Sequence, residues 1–214
     1  MVTTSELLVE RRLADAPPFY SPRVDLPEGL GIGRKLLLHA CCAPCSCAVV
    51  ECLLQNDLRP IVFYSNSNIY SREEYEHRCS ELKRFAETEG LQFIADEYNH
   101  EAWLSAVRGL ECEPERSNRC RVCFEFRLHR AAQYAAEHNC VAIATTLASS
   151  RWKDLSQVNA AGRKAVAASD GVCFWAADWR KRGLQQRRGE LLRYFEFYNQ
   201  QYCGCEFSIG GVCP

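Results

Sequence analysis

The chain has 214 residues, of which 47% are hydrophobic and 25% are charged, a composition typical of a globular protein. Its formal net charge of -1 gives no overall electrostatic preference for nucleic acid or membrane, although it does not exclude a local basic patch. No apolar stretch approaches the roughly 20 residues of a membrane span and no signal peptide is visible, so we expect a cytoplasmic protein without a membrane partner.

Residues 1 to 33 predict an N-terminal extension, partly helical at 5 to 13, that packs on a domain of residues 34 to 214. Along that domain the signals of strand and helix alternate. Strands are predicted at 35–40, 60–69, 91–98, 140–147 and 172–177. Helices are predicted at 46–57, 72–90, around Phe124 to Ala135, 154–169 and 184–201.

This alternation predicts an α/β fold, in which a parallel sheet carries helices on both faces in a Rossmann-like three-layer arrangement. Ligands of such folds usually bind at the carboxyl ends of the strands. The first predicted strand ends at HACCAPCSC, residues 39 to 47, which contains four cysteines. The position of this motif therefore favours a functional role.

The chain contains 14 cysteines, and clustered cysteines in a cytosolic protein more often bind metal or carry redox chemistry than form structural disulfides. Some fall on apolar stripes or inside strands, and we interpret them as core residues: Cys47, Cys52, Cys79, Cys140 and Cys173. Three clusters do not fit that interpretation. They are Cys41 and Cys42 with Cys45, the CxxC pair Cys120 and Cys123, and the pair Cys203 and Cys205 in YCGCEFS.

The CxxC pair lies at a predicted helix start, where backbone N–H groups stabilise thiolates. One CxxC occurs in zinc sites, thioredoxin-like motifs and iron–sulfur sites, so a second pair is needed, and the adjacent Cys41 and Cys42 can supply it. An adjacent pair favours a four-iron cluster over a zinc knot, because the cluster offers a separate iron to each thiolate. The Cys203–Gly204–Cys205 spacing leaves two alternatives open, a labile disulfide and a second metal half-site.

Other classes of protein fit the motifs less well. A nucleotide-binding enzyme that thiolates tRNA would need a glycine-rich phosphate loop after the first strand, and HACCAPCSC contains no glycine. A thioredoxin-like protein would leave the other cysteine clusters unexplained. A zinc-stabilised nucleic-acid-binding module and another iron–sulfur enzyme that modifies tRNA stay open as alternatives, although the two extra thiol groups argue against the module.

Six segments occur in a characteristic order: LLLHACCAPCS, FYSNSNIY, EEYEHRCSELKRF, RCRVCFEFRL, TTLASSRWKD and YCGCEFS. Together they resemble the QueH-type epoxyqueuosine reductases over roughly residues 35 to 208. The chain departs from that family at Ser71, where proline is common, and at SSRWKD (149–154), where the family often has Ser-Pro-His-Lys-Asp.

The resemblance implies reduction of epoxyqueuosine to queuosine at the wobble position of tRNA, with an unidentified electron donor. It also implies a [4Fe-4S] cluster and a further iron ion. By position, the cluster ligands are Cys41, Cys42, Cys120 and Cys123, the redox-active disulfide is Cys203–Cys205, and Cys45 is a candidate ligand of the further iron.

A modified base in a single-stranded loop is read by stacking aromatics and phosphate-binding cations. The basic segment 178–188 and the aromatic residues that follow it are candidates for such contacts, although a solvated helix face with core aromatics would look similar. Five further residues are candidates for substrate binding: Asn66, Asn68, Tyr70, Lys153 and Asp154.

Overall fold

The structure is a computed structural model that describes residues 11–31 and 33–208. Within these residues the strands are β1 (Lys35–His39), β2 (Ile61–Tyr64), β3 (Phe93–Ala95), β4 (Cys140–Thr145) and β5 (Cys173–Phe174). The α-helices are α1 (Ala43–Gln55), α2 (Arg72–Thr88), α3 (His100–Ala106), α4 (Asn118–Glu137), α5 (Leu155–Val166) and α6 (Leu184–Phe195). Short 3-10 helices occupy Leu13–Asp15, Thr146–Ser149 and Glu206–Ser208.

The strands form one parallel sheet in the order β3-β2-β1-β4-β5, with β1 at its centre. Leu36 and Leu38 pack with α1, α2 and α6 on one face, whereas Leu37 packs with α4 and α5 on the other. A run of three fully buried leucines is stable here because helices cover both faces of the sheet. The predicted α/β fold with helices on both faces is thereby confirmed.

The order of the strands places a natural binding crevice beside β1. The chain runs outward from β1 to β2 and β3, then crosses to β4 and β5 on the opposite side. The loops that follow β1 and β4 therefore leave the sheet in different directions, and such a switch point is where open parallel sheets bind ligands. The segment after β1 is HACCAPCSC, and the segment after β4 leads to residues 146–154.

Several element bounds differ from those predicted. Helix α1 begins at Ala43, three residues before the predicted start, because Pro44 suits the first turn of a helix. Strand β2 ends at Tyr64 rather than at residue 69, and α3 was not predicted at all. Helix α6 ends at Phe195 instead of 201, because Glu196 has left-handed backbone geometry with φ of 55°.

The described part of the predicted extension lies against α1. The backbone N–H of Ser21 donates to Gln55 Oε1 at 2.8 Å, and that of Val24 donates to Asn56 Oδ1 at 3.3 Å. Most of the helix predicted at 5 to 13 lies outside the described residues, and the boundary between residues 33 and 34 stays a prediction. Among the described residues, no helix has the length and apolar character needed to cross a membrane.

A buried ion pair joins α1 to α6. The Arg187 guanidinium donates two hydrogen bonds to the Glu51 carboxylate, Nε to Oε2 at 2.8 Å and Nη2 to Oε1 at 2.6 Å. The Arg187 side chain is 1% exposed, so the expectation that this member of the basic segment contacts RNA was wrong. Within the fold, the Glu51 carboxylate neutralises the positive charge of Arg187.

We expect Arg187→Met to lower the free energy of unfolding by about 3–5 kcal/mol, because it leaves the Glu51 carboxylate buried without a partner. Urea unfolding followed by circular dichroism measures this change. As a control, Lys83→Met removes the exposed Lys83–Glu87 pair and should cost less than about 1 kcal/mol. A loss of less than 1 kcal/mol for Arg187→Met would contradict the assignment.

Candidate redox and metal site

The cysteines of the first cluster meet where β1 passes into α1. Cys42 is the N-cap residue of α1 and has an extended backbone, while Cys45 lies in the first helical turn. The Sγ atoms of Cys41 and Cys42 are 3.8 Å apart, and those of Cys41, Cys42 and Cys45 all lie within 4.8 Å of one another. Three sulfurs at this spacing could hold a metal ion.

Hydrogen bonds among these thiols favour one thiolate, at Cys41. The bond from Cys42, and then the bond from Cys45, hold the pKa of Cys41 well below its usual value despite burial, and the Lys153 ammonium adds to this effect. Burial raises the pKa of Cys42 well above its usual value. Gln200 Nε2 also donates to Cys42 Sγ at 2.7 Å. The cluster therefore combines an anionic sulfur with neutral donors around it.

The CxxC pair lies in the first two turns of α4, as the sequence predicts. Burial raises the pKa of both thiols, and the backbone N–H of Arg116 donates to Cys120 Sγ at 3.2 Å. Trp103 is fully buried beside Cys123 and, after Arg127, partly offsets the rise in the pKa of that thiol that burial causes. Among the described residues, Cys120 and Cys123 lie outside the three-sulfur group around Cys41.

Cys203 and Cys205 carry free thiols in a loop that a buried arginine fixes to α2. Arg78 Nη1 donates to the Cys203 carbonyl at 3.3 Å, and Nη2 donates to the Tyr202 carbonyl at 3.4 Å. A hydrogen bond from Cys205 holds the pKa of Cys203 well below its usual value against the effect of burial, with a further contribution from Lys153. The same bond, followed by burial, raises the pKa of Cys205. These pKa shifts favour a thiolate at Cys203 beside a thiol at Cys205.

Gly204 allows the two thiols to share one side of this loop. Its φ is +103°, a conformation that side chains disfavour, and a Cβ would lie 2.7 Å from Ile69 Cγ1 and 3.1 Å from Arg78 Nη1. Its carbonyl accepts a hydrogen bond from the Tyr70 N–H at 2.8 Å. The glycine thus allows close packing of the loop on the segment after β2.

We expect Gly204→Ala to lower the rate of a reaction at this site by on the order of 100-fold while the content of any bound metal is retained, because the added Cβ displaces both thiols. Steady-state assays with metal analysis measure the two quantities. Gly171→Ala is the matched control, since Gly171 also has a positive φ of +75° but open space around its Cα. Comparable loss of turnover in both variants would show that backbone strain alone, and not the contact with Ile69, is responsible.

Two adjoining cavities bring the three clusters together. Cys120, Cys123, Cys203 and Cys205 line the first. Cys41, Cys45 and Cys203 line the second, which has a volume of about 490 Å³. Both cavities share Arg127, Trp152, Lys153, Glu115 and Cys203. Thiols that are distant in the sequence therefore surround one region at the carboxyl ends of β1 and β4.

Arg127 and Lys153 give this region a positive charge. Arg127 is 3% exposed, and its guanidinium donates to the Ser65 carbonyl at 3.3 Å and to Asn66 Oδ1. Burial lowers the pKa of Lys153, but the sulfurs of Cys41, Cys203 and Cys45 outweigh it and raise that pKa. Among the described residues, neither cation is within ion-pair distance of a carboxylate. Unneutralised cations beside deprotonated sulfurs fit an anionic occupant such as a metal–thiolate cluster.

The predicted substrate-binding residues occupy different environments. Lys153 lines both cavities, and Asn68 lines the first, where its buried Oδ1 lacks a hydrogen-bond partner within the described residues. Asn66 is buried, with its Nδ2 donating to the Ala40 carbonyl at 3.0 Å. Tyr70 is half exposed. Asp154 lines neither cavity, and its Oδ1 caps α5 by accepting from the N–H groups of Ser156 and Gln157.

Sequence reasoning missed several residues that contact the thiols or their loop, among them Arg78, Arg127 and Gln200. Arg127 follows Cys123 by four positions on α4, so helical spacing placed it on the same face. Arg78 and Gln200 had no such signal, because their contacts depend on how α2 and residues 196–202 pack. In the aromatic segment, Phe195 and Phe197 pack in the core against Phe85.

Comparison with known proteins shows that the chain matches a known protein family. The family model described as "Epoxyqueuosine reductase QueH" matches residues 36–210. The chain is 41% identical over 192 residues to the epoxyqueuosine reductase QueH of Haemophilus influenzae, a match that covers 90% of the chain and 77% of that protein. It is 42% identical over 192 residues to the same-named protein of Histophilus somni, with coverage of 90% and 78%. For the protein of Acinetobacter baylyi the identity is 41% over 187 residues, with coverage of 87% and 84%.

Proposed function

The chain belongs to the epoxyqueuosine reductase QueH family and is an oxidoreductase, and from this premise we propose that it reduces epoxyqueuosine to queuosine at the wobble position of tRNA. The observation that supports this proposal is the arrangement of three thiol clusters around Arg127 and Lys153 in two adjoining cavities. Such a site combines sulfur ligands for a metal with a dithiol that can be oxidised.

The proposed ligands of a [4Fe-4S] cluster are Cys41, Cys42, Cys120 and Cys123. When bound, such a cluster supplies electrons one at a time at low potential. Arg127 and Lys153 offset the negative charge of the thiolates, and Gln200 Nε2 donates to the Cys42 sulfur. A further iron ion would use Cys45, whose sulfur lies within 4.8 Å of those of Cys41 and Cys42.

Cys203 and Cys205 are proposed as the redox-active pair. Removal of the oxygen from an epoxide takes two electrons and two protons and releases one molecule of water. A thiolate and a thiol that join in a disulfide release two electrons and one proton, and solvent supplies the second proton, so the two half-reactions balance. Cys203 is the thiolate of the pair and Cys205 holds a proton, which suits them to this exchange. A separate two-electron donor must then reduce the disulfide.

The substrate base is proposed to enter the cavities, where Asn68 and Lys153 would contact it. Asn68 Oδ1 is a free acceptor there, and the Lys153 ammonium is a donor beside the thiolates. Tyr70 would contact the nucleotide at the surface. Asn66 and Asp154 are proposed to position the site, because Asn66 holds Arg127 and Asp154 fixes the start of α5 immediately after Lys153.

The test is anaerobic reconstitution of the full chain with iron and sulfide, followed by incubation with epoxyqueuosine-containing tRNA and a chemical reductant. We expect a coloured protein with about four or five irons per chain, as one four-iron cluster with or without the further iron requires. Nucleoside analysis of the tRNA should then show queuosine. A colourless protein that binds zinc alone, or a reconstituted protein that leaves epoxyqueuosine intact, would contradict the proposal.

A further inference from the structure

Trp152 stands out among the four tryptophans of the chain. It is 72% exposed, whereas Trp103, Trp175 and Trp179 are buried. It also lines both of the cavities that contain the cysteine clusters. A large aromatic side chain left in solvent at the edge of a functional cavity is typical of a residue that contacts a ligand.

The Arg116 side chain holds the backbone that carries Trp152 in place. Arg116 Nε donates to the Trp152 carbonyl at 2.9 Å, and its Nη2 donates to the Arg151 carbonyl at 3.3 Å. Gln157 Nε2 in turn donates to the Arg116 carbonyl at 2.7 Å. These bonds use the main chain of residues 151 and 152 and leave the indole ring exposed. The ring is therefore presented from a fixed support.

The cavities around Trp152 are strongly basic in a chain whose net charge is -1. Of the described residues that line them, one is acidic, Glu115, and seven are basic: Arg78, Arg116, Arg119, Arg127, Arg151, Lys153 and Arg188. Arg151 is exposed and Arg188 is half-buried, and within the described part of the chain neither has a carboxylate partner. Positive charge around an exposed ring suits a polyanion that also carries aromatic groups.

We propose that Trp152 is the stacking residue for a base of the anticodon loop, adjacent in the RNA to the modified base, and that Arg151 and Arg188 bind the flanking phosphates. Single-stranded loops are bound in this way, by bases stacked on aromatic rings and cations along the backbone. This inference deepens the proposed function, since it rests on tRNA as the substrate.

The experiment uses the full-length reconstituted protein and a fluorescein-labelled anticodon stem-loop RNA, with binding followed by anisotropy. Trp152→Ala should weaken binding about tenfold, and Trp152→Phe should recover most of the loss because phenylalanine keeps a stacking surface. In turnover assays with a chemical reductant, Trp152→Ala should raise KM for tRNA more than it lowers kcat. Tyr20→Ala, at an aromatic residue that is 94% exposed and lines neither cavity, should change nothing.

Salt dependence separates stacking from charge. Trp152→Ala should leave the slope of log K against log salt unchanged, whereas Arg151→Gln should reduce its magnitude by about 0.7, the value for one phosphate contact on a single strand. Equal affinity of Trp152→Ala and the unaltered protein for the RNA would overturn the inference. So would a loss of turnover that occurs with a protein electron donor but not with a chemical reductant, because Trp152 would then belong to a donor surface.

The two proposals can fail separately. If the RNA binds in a Trp152-dependent way but epoxyqueuosine is not reduced, the proposed function is wrong and the stacking role stands. If epoxyqueuosine is reduced and Trp152→Ala has no effect on KM or binding, only the stacking role is wrong. Thermal unfolding of each variant establishes that the change in binding does not come from loss of the fold.

Discussion

Cys41→Ala should abolish both iron binding and turnover. Cys41 is the sulfur whose pKa is held well below its usual value by hydrogen bonds from Cys42 and Cys45, and it lies within 4.8 Å of both sulfurs. Its removal takes away the thiolate of the group and the partner that both neighbours contact. We expect iron content after anaerobic reconstitution to fall to a small fraction of that of the unaltered protein, with no detectable queuosine.

Two controls isolate this effect. Cys47→Ala changes a cysteine of the same motif that is fully buried in the core, so it should retain iron, with a modest loss of stability. Cys205→Ala should retain iron as well, since its thiol is proposed to act in redox chemistry and not as a ligand. Full iron content in Cys41→Ala, or equal loss in all three variants, would contradict the ligand assignment.

Cys203→Ser should leave iron content unchanged but keep the product well below one equivalent per chain. Serine keeps the size of the side chain yet cannot form a disulfide, so the pair can no longer provide two electrons in each cycle. Anaerobic time courses that compare queuosine formed with enzyme present measure this limit. Cys205→Ala should show the same limit, because the loss of either thiol is sufficient to prevent disulfide formation.

Cys173→Ser is the matched control for this second prediction. Cys173 is half-buried on β5 and lines neither of the cysteine cavities, so its loss should leave the number of turnovers unchanged. Sustained turnover by Cys203→Ser at the rate of the unaltered protein would be incompatible with the redox role. Loss of iron in that variant would instead make Cys203 a metal ligand.

The sequence predicted the fold well because the signals behind it are local. The apolar run at 35–40 suits a strand buried on both faces, and the alternation of strand and helix signals predicts a parallel sheet. The end of α6 could not be predicted, because its periodic aromatics continue past Phe195 while Glu196 turns the chain away. Helix α3 was missed because seven residues carry too little periodicity to be recognised.

The candidate site, like the fold, could be predicted only in part from the sequence. The three cysteine clusters were recognised from their spacing, but their position around two shared cavities depends on the path of residues 196–205, for which spacing contains no information. Asn66 and Asp154 were predicted to bind substrate, and in the structure both side chains form hydrogen bonds within the fold. Short polar side chains at strand ends and helix starts serve capping and binding equally well, so residue type could not separate the two roles.

The segment between Ser150 and Asp154 is restricted in length by the positions of two of its residues. Asp154 anchors the first turn of α5, and Lys153 immediately before it lies beside sulfurs of two clusters. A single inserted or deleted residue between Ser150 and Asp154 would move the ammonium away from those sulfurs while the helix stayed in place. Grafts of the corresponding loop between relatives should therefore keep the Lys153 ammonium beside those sulfurs when the number of residues before Asp154 is kept, and fail whenever that number changes.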